Sequence, residues 1–179
     1  MEIAPTTRVA ADLNDLAEAK GWPMRCDAKL EFERRDLHAL CDIWRSKASG
    51  GVPQRSVLDM RTLKPFARNL AILERTQSPA RYRFRLFGST LALLFGEHTG
   101  RFLDEMVSAQ LLPGWTAFYD GALAGGAVLR FINYYRIPTQ AYLKGEILAA
   151  PLADESGEVR MILASTYVGL KDGAPPPFG

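Results

Sequence analysis

The run Arg81-Tyr82-Arg83-Phe84-Arg85-Leu86 alternates cationic and apolar side chains without a break. Only an extended strand with one covered face sends such residues to opposite sides, so the chain cannot be all-helical. A half-covered strand needs antiparallel neighbours and an apolar layer over its inner face. The flanking sequence offers both. Leu70 to Leu73 reads as a preceding strand, separated by the turn Gln77-Ser78-Pro79, and Gly88 closes the alternating run. Three longer runs, Val128 to Ile137, Tyr142 to Pro151 and Val159 to Leu170, complete a set of five, with Asp154-Glu155-Ser156-Gly157 as a hairpin turn.

The helical layer is equally legible. Val9, Leu13, Leu16 and Ala17 recur at helical spacing after Thr6 and Thr7 and stop at Gly21-Trp22-Pro23. A second helix, about Glu31 to Lys47, carries Phe32, Leu37, Leu40, Cys41 and Trp44 on one stripe. Ser89 to Phe95 forms a short apolar helix closed by Gly96. From about Ala109 to Ala124 a further helix presents Trp115, Phe118, Tyr119 and Leu123, with Pro113 and Gly114 forcing a start or a break. The expected architecture is α+β: a five-stranded antiparallel sheet with short helices over one face, a cavity between the layers and an N-terminal helical extension. Residues 1–30 read as a helical leader, 31–170 as the domain with its flanking helix, and 171–179 as a flexible tail rich in proline.

Composition removes several function classes. The chain has 179 residues, is 47% hydrophobic and carries a formal charge of +2, which fits one globular domain and argues against a chain-wide polyanion partner. The charge is nevertheless uneven, with residues 55–85 holding 8 basic and 2 acidic side chains. Two cysteines, Cys26 and Cys41, and two histidines cannot build a disulfide scaffold or a zinc site. No signal pattern or spanning apolar run is seen, so a cytoplasmic chain without membrane association is expected. No GxSxG elbow, phosphate loop or metal-ligand cluster is present, and no enzymatic activity is expected.

The order of two strands, a cluster of short helices and three strands resembles the PAS fold. The resemblance is to the compact single-domain bacterial PAS family of the alphaproteobacterial type. It is carried by Leu37, Leu40 and Trp44, Val52-Pro53-Gln54-Arg55-Ser56, Leu70 to Leu73, and Tyr82-Arg83-Phe84-Arg85-Leu86-Phe87-Gly88. Leu94-Phe95-Gly96, Thr99-Gly100-Arg101 and Gly145-Glu146-Ile147-Leu148-Ala149-Ala150-Pro151-Leu152 extend it over roughly residues 30 to 168. It implies a bacterial sensory or interaction module without its own output enzyme, binding a small-molecule ligand or a signalling protein partner and forming a homodimer through the N-terminal helices. It does not specify a cofactor. Ala149-Ala150 replaces the family's bulkier aliphatic residues, which implies a wider pocket.

On this reading Phe84, Leu86, Phe95, His98, Trp115, Phe118, Tyr119 and Tyr134 are the candidate ligand-binding residues, since such pockets are mostly apolar with few polar anchors. Trp44, Arg85, Gly88, Gly96 and Gly100 are the candidate structural motif. Tyr134 and Tyr135 must face opposite ways along their strand, so one of them reaches the pocket. His98 sits where a haem-binding relative could place an axial ligand, although a loop-stabilising role fits a lone histidine better. The Asn-Cys-Arg-Phe-Leu-Gln type of loop that flavin photochemistry needs is missing. Two alternatives remain open. One is a hot-dog or cone-type enzyme on a small or acyl-thioester substrate, with Asp120 or Glu146 as general base. The other is an anion or nucleic-acid binder using residues 55–85, weakened because Tyr82 and Phe84 point away from Arg81, Arg83 and Arg85.

Overall fold

A computed structural model describes residues 5–136 and 142–171. Helix α1 (Pro5–Lys20) is followed by strand β1 (Met24–Asp27), α2 (Arg35–Lys47) and α3 (Met60–Leu63). Strands β2 (Leu70–Arg75) and β3 (Tyr82–Phe87) lead to α4 (Ser89–Phe95) and α5 (Leu112–Gly125). Strands β4 (Leu129–Arg136), β5 (Tyr142–Ala153) and β6 (Val159–Lys171) follow. All strand pairs are antiparallel, in the order β1-β4-β5-β6-β2-β3. The α+β architecture is therefore as expected, with a sixth strand added at the β4 edge. The expected tail falls outside the described residues from 172 onward, as does the side chain of Tyr135.

That sixth strand comes from the leader. β1 has no β-branched residue, and it is held from both sides. β4 pairs with it from Met24 opposite Asn133 to Asp27 opposite Arg130. On its other edge the Asn14 amide imitates a strand, donating to the Cys26 carbonyl at 2.8 Å and accepting from the Cys26 N–H at 2.7 Å. Satisfying these edge groups removes a site for unwanted pairing.

α1 packs against α5 because α5 presents small residues to it. A Cβ at Gly121 would lie 2.8 Å from Leu13 Cδ1, and one at Gly114 would lie 3.0 Å from the Trp22 ring. α5 itself starts at Leu112, with Pro113 in the first turn where its missing N–H costs no hydrogen bond.

Both faces of the sheet are covered. α1, α4 and α5 lie over one face with Leu73, Phe84, Leu129, Phe131 and Ile147. α2 and the 58–66 segment cover the other with Leu70, Ile72, Leu148, Ala150, Leu152 and Leu163. Trp44 fixes α2 there, 7% exposed, its indole N–H donating to the Pro151 carbonyl at 2.8 Å. The apolar stripe of α2 thus packs on the chain's own sheet.

Candidate functional site

The helix-covered face does not close completely. A cavity of about 270 Å³ lies between β2, β3, β6 and the helices, lined by Ala71, Phe84, Phe87, Leu91, Phe95, Leu103, Met106, Val107, Ser108, Leu111, Trp115, Tyr119, Ala164 and Thr166. Its origin is in the sheet. Ala71 stands opposite Ala164, and Ala164 opposite Ala149, so three methyl side chains run in register across β2, β6 and β5. The aromatic and leucine side chains of β3, α4 and α5 rest around this shallow floor and leave space above it.

Four of the eight candidate ligand-binding residues meet at this cavity: Phe84, Phe95, Trp115 and Tyr119. The other four do not, each for an identifiable reason. Leu86 is displaced by a register shift. Leu73 pairs with Phe84 while Ile72 pairs with Leu86, so Arg85 is the extra residue of a β-bulge and the alternation reverses beyond it. Leu86 accordingly packs with Ile72 on the outer face, and Phe87, opposite Ala71, takes its place at the cavity. Phe118 is fully buried in the core, its ring edge-on to Phe131 at 5.0 Å. Tyr134, half-buried, lies one position from Asn133 and shares the outer-face parity of Arg130 and Ile132.

His98 stands behind the cavity wall. It is 7% exposed, its Nε2 lies 3.0 Å from the Phe95 carbonyl, and its ring meets Phe87 edge-on at 5.5 Å. Nδ1 is buried without a hydrogen-bond partner. The imidazole thus braces Phe87 and the end of α4, and it does not line the cavity.

The glycines singled out in the sequence set the local backbone. A Cβ at Gly88 would fall 2.4 Å from the Ala67 carbonyl oxygen, so only glycine admits this approach of β3 to the 64–69 segment. Gly96 and Gly100 hold φ of 87° and 83°, conformations that allow the chain to turn sharply on either side of His98. Arg85 lies 3.5 Å from Glu74.

Candidate catalytic and anion-binding groups are engaged elsewhere. Asp120 accepts from Arg75 Nε at 2.7 Å and from the Tyr82 hydroxyl at 2.6 Å, and burial with this bond raises the Tyr82 pKa. Glu146, on the opposite face, accepts from Arg130 Nε at 2.7 Å and from the backbone N–H groups of Glu33 and Arg34 at 2.8 and 3.1 Å. Neither carboxylate lines the cavity; Glu146 instead borders a polar cleft on the outer face with Arg34, Lys144 and Tyr167. The three arginines do not form one surface either. Arg81 precedes β3, grips Asp104 with two hydrogen bonds of 2.8 and 2.7 Å and lies over the Phe102 ring, whereas Arg83 donates to the Gly100 carbonyl.

Cys26 and Cys41 are buried and free, on opposite faces of the sheet, and neither lines the cavity. Burial, with Asp27 beside it, pushes the Cys26 thiol up to about 12. Among the described residues no group of three or more His, Cys, Asp or Glu could hold a metal ion, and no helix is long and apolar enough to cross a membrane.

A sheet of this order, with its cavity under α4 and α5, agrees with a family match. The PAS domain family model matches residues 33–166, and the chain belongs to that family. No curated protein matches it. Among solved structures it is similar to an RNA-binding Light-Oxygen-Voltage receptor, with 14% identity, a TM-score of 0.43, and coverage of 63% of this chain and 33% of that one. It is also similar to the light state of the blue-light photoreceptor Aureochrome1 LOV, with 14% identity, a TM-score of 0.41 and coverage of 63% and 89%. A sensory box histidine kinase/response regulator from Burkholderia thailandensis gives 8% identity, a TM-score of 0.38 and coverage of 62% and 84%. The chain spans about a third of the first of these, and family membership rests on the match over residues 33–166.

Proposed function

We propose that the protein is a non-enzymatic sensory module of bacterial signal transduction that binds a small molecule in the cavity between sheet and helices. The observation that carries this reading is the cavity itself: four separately expected aromatic residues, Phe84, Phe95, Trp115 and Tyr119, converge on a space above the paired alanines Ala71 and Ala164. Signalling acts by population shift, since a ligand moves an equilibrium only through different affinity for its two states. β6 offers a short route for the change. Thr166 lines the cavity, and the next residue, Tyr167, lies on the other face, where Arg34 at the start of α2 covers its ring at 4.6 Å. A ligand that displaces Thr166 alters the seat of α2 and with it a surface for a signalling partner or a second copy, in a cytoplasmic setting.

Native mass spectrometry of freshly purified protein, under gentle and then strong desolvation, tests the reading together with oligomeric state. A small mass retained by the wild type and absent from Ala164→Leu supports it. The same mass retained equally by both places the ligand elsewhere and removes the cavity from the account.

A further inference from the structure

The cavity also carries information about what it accepts. Among the described residues no Asp, Glu, Lys, Arg or His lines it, and its hydrogen-bonding side chains are Ser108, Trp115, Tyr119 and Thr166. The nearby ions are already matched to each other: Asp120 is held by Arg75 and Tyr82, and Asp104 by Arg81. A carboxylate or phosphate inside would lose its water and find no counter-ion, and a buried charge without a partner is expelled or neutralised.

Volume narrows the choice further. An apolar cavity of about 150 Å³ in another protein holds one benzene, so in proportion this space of about 270 Å³ accommodates roughly ten non-hydrogen atoms. We propose that the ligand is an uncharged, mainly apolar molecule of about that size, with at most one or two hydrogen-bonding groups. This rests on the reading of the chain as a ligand-binding sensory module. Haem and flavin nucleotides fail on both counts, since each is several times larger than the cavity allows and each brings anionic groups that no cationic side chain here receives.

Matched pairs that differ in charge and little else provide the test. Octan-1-ol against octanoate, and acetophenone against benzoate, are titrated into the full chain by calorimetry at pH 7.5 and constant ionic strength. The neutral member of each pair is expected to bind roughly 100-fold more tightly, as an unpaired buried charge requires. Ala164→Leu is expected to weaken that binding at least about tenfold by occupying the same space. If this variant fails to fold, the comparison on the unmodified protein still decides. Carboxylates binding as tightly as their neutral partners would overturn the ligand class while leaving a sensory cavity in place. Failure of all four compounds, with a charged mass retained in the native spectrum, overturns the class alone; the same failure with no retained mass overturns the sensory reading too.

Discussion

The two faces of the sheet are built from the same strands and differ in how they use bulk and charge. On the cavity face, Ala71, Ala149 and Ala164 stand in register, and among the described residues no charged side chain lines the cavity. On the outer face the alternate positions Leu70, Ile72, Leu148 and Leu163 fill the space under α2. Beside them Arg130, with its side chain 11% exposed, reaches Glu146, Asp27 and Glu33, and Lys144 completes the network through Glu33. One face therefore keeps an apolar cavity, whereas the other is packed under α2 and carries polar clefts beside it. Packing that leaves a void forfeits dispersion contacts along its lining, so the alanine row costs stability that the filled face must offset. On the proposed function, the cavity face serves binding and the outer face anchors α2.

Breaking the outer network should give the largest effect. Glu146→Ala leaves the Arg130 guanidinium with only its longer contacts to Asp27 and Glu33 and frees two backbone N–H groups at residues 33 and 34, which together should cost about 2–4 kcal/mol. Urea denaturation measures this. A loss below about 1 kcal/mol would mean that the outer face is not the anchor. Glu146→Gln, which retains an acceptor oxygen, should fall between the wild type and the alanine variant.

Trp44→Ala attacks the apolar half of the same face. It removes a buried side chain and its bond to the Pro151 carbonyl, with an expected loss of about 3–4 kcal/mol. The affinity of the cavity for octan-1-ol should remain unchanged in the folded fraction. A large affinity loss without destabilisation would instead place Trp44 in the binding pathway.

The same small-to-large change made on each face sharpens the contrast. Ala150 is fully buried beneath α2 in the cluster with Leu148, Leu152 and Leu163, and Ala150→Leu should cost about 1–3 kcal/mol through overpacking. Ala164→Leu projects into the cavity and should leave stability within about 1 kcal/mol of the wild type while abolishing binding. Equal destabilisation by both variants would show that the cavity does not act as open space in solution.

How much of this was legible in the sequence follows from the range of the forces involved. β3, α4 and the 154–157 turn were legible because alternation, glycine punctuation and turn chemistry are local signals. β1 was not, since Met24-Arg25-Cys26-Asp27 has weak strand character and is extended because β4 and the Asn14 amide receive it from two sides. The exchange of Leu86 for Phe87 was hidden for a related reason. A bulge at Arg85 is set by pairing with β2, and nothing in the run Arg83-Phe84-Arg85-Leu86 marks it. Gly121 has no meaning that a local signal could carry: it lies inside α5 and makes room for Leu13 of α1, which only the partner helix shows. Phe84, Phe95, Trp115 and Tyr119 were found together because aromatic residues at helix and strand spacing point to one layer, whereas the small floor beneath them emerges only from cross-strand register.

The smallest expected effect concerns acid. Asp104 lies next to Leu103, which lines the cavity, and its hydrogen bonds from Arg81 hold its carboxyl below the ordinary value of 3.8. A carboxyl lowered in the folded state contributes stability above its ordinary pKa and loses it as pH falls through the lowered one. The melting temperature of the wild type should therefore exceed that of Asp104→Asn by a constant margin near neutrality, and the margin should shrink as pH drops below about 3.8. Both groups are partly open to solvent, so the margin should be modest and should narrow in high salt. The outer network behaves differently under salt. Its Arg130 and Glu146 are screened from solvent, and the loss on Glu146→Ala should persist at the ionic strength that erases the Asp104 margin. If salt reduces both in proportion, the two faces do not differ in the way their burial indicates, and the division between a binding face and an anchoring face loses its electrostatic half.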